Sequence, residues 1–109
     1  MKALLSAATE TGAGSLWKLK DSSDVHTGYA KFTGTITAVT VALEGSIDGT
    51  NIVALTTHEF TASEISAKQA MFHVVNKLVE YVRINITVLT GTGSVTVSHS
   101  PADNSALQI

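Results

Sequence analysis

The segment "YVRINITVL", residues 81–89, alternates strictly between apolar and polar positions. Val82, Ile84, Ile86 and Val88 are expected on one face, and Arg83, Asn85 and Thr87 on the other. A helix cannot gather every second residue on one side, but a strand does so by construction. The apolar members are all β-branched, which restricts them in helices and suits a pleated, half-buried surface. A strand has no stability without partners. This one segment therefore commits the chain to a β-sheet.

Other segments repeat the pattern. In "YAKFTGTITAVTVALEG", Ile36 is followed by an alternation of Val39, Val41 and Leu43 against Thr40, Ala42 and Glu44. "SLWKLK" sets Leu16 and Trp17 on opposite faces, "NIVALTTHEF" is a further strand, and "SVTVS" points Val95 and Val97 inward. The predicted core is Val41, Leu43, Val82, Ile84, Ile86 and Val97. Two hairpins are expected. One turns at Asp48-Gly49 in "LEGSIDGTNIVAL", where glycine supplies a positive φ and the Asp48 and Asn51 side chains can bond their own backbone. The other turns in "LTGTGSV", at Gly91 and Gly93. Between them, "TASEISAKQAMFHVVNKLVEYV" admits two readings. One is a short helical turn over 62–68, capped by Thr61 or Ser63 with Glu64 in its first turn, followed by a strand from Met71 to Val75. The other is a helix from Ser63 to Leu78. Several short strands punctuated by turns predict an all-β fold: a single antiparallel β-sandwich or small barrel with one short helical turn.

The 109 residues make one domain, 44% hydrophobic and 15% charged, with a net charge of −2. That balance supports a packed core and gives no attraction for nucleic acid. Without cysteine there is no disulfide, thiolate metal site or cysteine nucleophile. Lys2 followed by Ala3 to Ala8 imitates a signal peptide, but Thr9-Glu10-Thr11-Gly12 cuts the apolar run short. No run is long enough to cross a bilayer as a helix. The expected compartment at synthesis is the cytoplasm.

Catalytic groups do not assemble in the sequence. His26, His58, His73 and His99 have no metal-ligand spacing and read as surface or rim residues. The carboxylates Glu44, Asp48, Glu59, Glu64 and Glu80 form no acid–base pair, no serine sits in a nucleophile elbow, and "TGAGS" and "GTGS" do not lie between a strand and a helix. No catalytic residue, cofactor or metal site is expected. Trp17 and Tyr29 are the candidates for stacking against a sugar, with core or rim packing as the ordinary alternative.

"LEGSIDGTNIVAL" followed by "VEYVRINITVLTGTGSVTV" resembles a pattern shared by two groups. One is the discoidin-like, galactose-binding β-sandwich; the other is a set of small virion structural proteins of tailed bacteriophages. The resemblance covers roughly residues 39–97. It departs at Ile52, where an aromatic residue is usual. Short loops of Ser, Thr, Gly and Asp, and "TGAGS" ahead of an aromatic strand, favour the virion group. That resemblance implies a jelly-roll or discoidin-like sandwich serving as capsid decoration, head–tail joining piece or tail component. It implies assembly with copies of itself and with other virion proteins, in a virion made in the bacterial cytoplasm. No nucleic-acid or membrane partner is implied, and a small carbohydrate-binding module is the alternative. In this reading Asp48, Gly49 and Asn51 form a structural turn. The sandwich spans 15–98, between an N-terminal arm over 1–14 and a C-terminal tail over 99–109. Leu4, Leu5, Leu107 and Ile109 on those ends are the expected assembly contacts.

Overall fold

A computed structural model describes residues 2–102. The elements in order are β1 (Lys2–Ala8), β2 (Gly12–Ala13), β3 (Trp17–Ser23), β4 (Val25–Ser46), β5 (Val53–Glu59), α1 (Ala62–Ala67), β6 (Gln69–Val74) and β7 (Val79–Ala102). All pairings are antiparallel and all strands join one seven-stranded sheet. The fold is all-β, with one short helix among the described residues.

The sheet is organised by its two longest strands. β4 and β7 pair from Val25 opposite Ala102 to Ser46 opposite Tyr81. The first half of β4 carries β6 on its other edge, and the second half carries β5. The second half of β7 carries β1, and the first half carries β2 and β3. A straight strand of the 24 residues in β7 would reach about 80 Å, twice the 42 Å of the longest molecular axis. The ribbon therefore bends back on itself, and its concave face becomes the core.

The bend has a local cause. Thr37 is an extra residue in β4 between the pairs Ile36–Gly91 and Ala38–Thr90. Thr87 is an extra residue in β7 between the pairs Thr40–Val88 and Val41–Ile86. Each bulge kinks its strand and reverses which residues face inward. In β4 the buried set changes from His26, Ala30, Phe32 and Ile36 to Val39, Val41 and Leu43. In β7 it changes from Val82, Ile84 and Ile86 to Val95, Val97 and His99. Val88, expected inward, lies just past the Thr87 bulge and is 42% exposed. The predicted hairpin at Gly91 and Gly93 is absent. The chain passes straight through both glycines, which lie opposite Ile36 and Gly34 at the bend.

β5 crosses to β6 through α1, and three phenylalanines pack the crossing. Phe60 N–H donates to Val39 O and Phe32 N–H to Lys68 O. The Phe32 and Phe60 rings meet edge to face at 5.0 Å, and Phe60 and Phe72 at 6.3 Å. α1 is the short alternative of the two readings. Thr61 is its N-cap, in a reciprocal capping box with Glu64, and Lys68 closes it in a left-handed conformation.

The N-terminal arm is part of the sheet. Lys2 lies opposite His99 and Ala8 opposite Val95, with two register shifts between them. Leu4 belongs to the core and Leu5 packs against it, so both serve this chain's own interior. At the other end β7 continues to Ala102, past the expected tail boundary at residue 99. Leu107 and Ile109 lie outside the described residues.

Candidate functional site

The Asp48 corner is where the sequence concentrates polar side chains, and its hydrogen bonds close on themselves. Asp48 Oδ1 accepts from Thr50 N–H and Asn51 N–H, both at 2.8 Å, and from Ser46 Oγ–H at 2.9 Å. Asp48 Oδ2 accepts from the Asn51 side-chain amide at 2.7 Å. Ser46 Oγ accepts in turn from the Asp48 and Gly49 amides. The backbone donors of Asn51 and Thr50, then the side chains of Asn51 and Ser46, hold the carboxyl far below the usual carboxylate range. A carboxylate with its lone pairs committed to its own loop is a structural corner. Its contribution is present in full above the ordinary carboxylate range and fades only in strong acid. Asp48→Ala is expected to lower the melting temperature without altering the sheet's circular dichroism. Gly49 has φ +80°, and an added Cβ would meet the Tyr81 ring at 3.1 Å. Gly49→Val is expected to cost about 1–2 kcal/mol for the left-handed backbone alone, measured by denaturant unfolding.

Trp17 and Tyr29 are not brought together. Trp17 is half-exposed, with the Lys2 ammonium 4.0 Å from its ring centroid. Tyr29 lies on β4, between Ser98 and Met71 in register, and its hydroxyl donates to Gln69 Oε1 at 2.7 Å. Among the described residues no ring contact joins the two.

Two of the four histidines are core residues, contrary to the surface reading. His26 and His99 are 0% and 2% exposed. His26 Nδ1 lies 2.9 Å from His99 Nε2, and the rings stack with centroids 5.1 Å apart. His26 Nε2 lies 3.0 Å from Lys77 O. Only proximity in the fold could have revealed this pair, since 73 residues separate its members. The other two are partly or fully accessible: His73 Nδ1 binds Thr27 Oγ1, and His58 stacks on Phe72 while its Nε2 meets Glu64. No cluster of three or more metal-ligating side chains exists among the described residues. Arg83 donates to Glu44 at 2.6 Å and Asn85 to the same carboxylate at 3.2 Å, on the outward face.

What the fold leaves unsatisfied is apolar. Ile47, Val53, Met71, Val75 and Leu78 are each more than half exposed. Val53 is the register partner of Gly45, and the Cβ position of Gly45 is 2.9 Å from the Val79 side chain. Ile47 follows the last β4–β7 pair, Ser46 with Tyr81, and Leu78 directly precedes β7, so Ile47, Val53 and Leu78 all lie near that end of the strand pairing. Val75 lies in the same β6–β7 connection as Leu78, and Met71 lies on β6, which among the described residues pairs with β4 on one edge. Large apolar side chains left exposed by a fold are candidates for a contact surface. Sequence reasoning passed over them because an apolar residue carries no local mark of its exposure. No helix among the described residues is long and apolar enough to cross a membrane. The chain matches no protein-family model, no curated protein and no solved structure.

Proposed function

We propose that this protein is a structural component of a bacteriophage virion that works by protein–protein assembly and not by catalysis. Its partners are copies of itself and neighbouring virion proteins, and its place is the assembled particle after synthesis in the host cytoplasm. The observation that carries the reading is the set of apolar side chains left more than half exposed, with Ile47, Val53 and Leu78 near the end of the β4–β7 pairing at Ser46 and Tyr81. The Asp48 carboxylate is bonded within its own loop, which supports a structural role for that corner. The resemblance of residues 39–97 to small virion proteins supplies the context.

The test is Ile47→Asp with Leu78→Asp. Both positions are exposed, so the fold should lose little stability. Self-association by light scattering and incorporation into particles are each expected to fall at least about tenfold, since two buried apolar contacts are replaced by desolvated charges. A protein that is monomeric with or without the changes, and whose glycan-array signal disappears on Tyr29→Ala, would establish the carbohydrate-binding alternative.

A further inference from the structure

The His26–His99 pair has no part in the assembly reading, and its surroundings are specific. A carbonyl oxygen only accepts, so His26 Nε2 carries a hydrogen toward Lys77 O. In the neutral state His26 Nδ1 is then an acceptor, and His99 Nε2–H donates to it. The contact needs one lone pair between the two facing nitrogens. The pair can therefore share one extra proton, but a second would set two N–H groups against each other.

The pair also ties together segments distant in sequence. His99 is in register with Lys2 of β1 on one side and Gly28 of β4 on the other. His26 is in register with Val74 of β6 and holds the β6–β7 turn through Lys77 O. That turn is further fixed by Lys77 N–H donating to Asp24 O at 3.1 Å. β1 brings Lys2, whose ammonium sits over Trp17. The turn carries Lys77, and Asp24 immediately precedes β4. On β3, Lys18 is turned to the Tyr81 ring, and on β6, His73 is turned to Thr27.

We propose that the His26–His99 pair is an acid-sensitive latch that fastens β1 and the β6–β7 turn to the ends of the long strands and releases them when both imidazoles are protonated. Burial, then the nearby charges of His26 and the amino terminus, push the pKa of His99 down to about 4, against an ordinary 6.5. The folded state thus holds His99 neutral, while the open state takes up a proton readily. The latch is fully closed above the ordinary histidine range, and its hold weakens as pH falls from about 6.5 toward 4. β1 and the turn are bound at the edge of the sheet, so they open without unfolding the centre.

The test is amide hydrogen exchange on the full chain at pH 7, 5.5 and 4.5, corrected for the intrinsic pH dependence of exchange. Protection in β1 and in residues 74–79 is expected to fall at least about tenfold on acidification, while the β4–β5 hairpin keeps its protection. In His99→Gln the side-chain amide can still donate to His26 Nδ1 but does not titrate, and the acid-induced loss should largely disappear. Uniform loss across the sheet, no loss at β1, or the same loss in His99→Gln would overturn the latch. If His99→Gln fails to fold, the imidazole signals of the unaltered protein decide by NMR. Coupled titration of both rings with β1 opening supports the proposal, and independent titration of both near 6.5 overturns it.

Discussion

Gly93→Ala is expected to be among the most damaging single changes in this chain. Gly93 has φ +148° and lies opposite Gly34 at the bend of the long ribbon. An added Cβ would clash with Thr33 O and lie 3.1 Å from the Gly34 Cα. Both neighbours are backbone, so no side chain can rotate away. Strain at a forbidden φ and overpacking against a paired strand together cost on the order of 3–5 kcal/mol. A small domain has only about 5–15 kcal/mol in total. The measurement is equilibrium denaturation, with near-ultraviolet circular dichroism to follow the packing around Trp17 and the tyrosines. A midpoint equal to that of the unaltered protein would show that the two glycines do not approach as closely as described.

Ile84→Ala is the second large effect. Ile84 is 0% exposed, lies opposite Leu43 on β7, and its carbonyl accepts from Gly14 N–H at 2.8 Å. Removing three carbons from a close-packed interior costs about 2–5 kcal/mol, through lost burial and the cavity left behind. Its comparison is Val88→Ala, a residue with the same parity in the sequence but 42% exposed beyond the Thr87 bulge. That change should stay within about 0.5 kcal/mol. The pair of variants tests the bulge itself: similar costs at both sites would mean that β7 has no reversal at Thr87.

The same two residues show what a sequence can and cannot disclose. Strand content was legible because alternation is written locally. The Asp48-Gly49 corner was legible for the same reason, as the groups that bond lie within three residues of each other, and the short helical turn was one of two readings, with its cap open between Thr61 and Ser63. A bulge is different, because it exists only relative to a partner strand, so nothing near Val88 signals the reversal. Gly91 and Gly93 have turn composition, yet their reason for being glycine is the close approach of Thr33, Gly34 and Thr35 from β4. β1 escaped notice because two register shifts scramble its alternation and its partner lies at the far end of the chain. For the site, the residues picked out for polarity proved to be internal structure. The apolar end was hidden because exposure is a property of the fold and not of the residue type.

The pairing of β4 with β7 also has a kinetic consequence. Helix α1 and the β4–β5 hairpin can form from neighbours in sequence, but β7 must find β4 across the intervening β5–α1–β6 segment. The shortest loop to close joins Ser46 to Tyr81, and each further pair toward Val25 and Ala102 encloses a longer one. Loop-closure entropy favours starting at the Tyr81 end and zipping outward, with β1 docking last because its template is the final part of β7. Such non-local sheets refold in about milliseconds to seconds, far slower than helical bundles of similar size. Until the zipping is complete, the edge of β7 that receives β1 stands open, so a nascent or refolding copy offers a strand-sized acceptor to its neighbours. Concentration-dependent refolding yields would follow directly from that order of events.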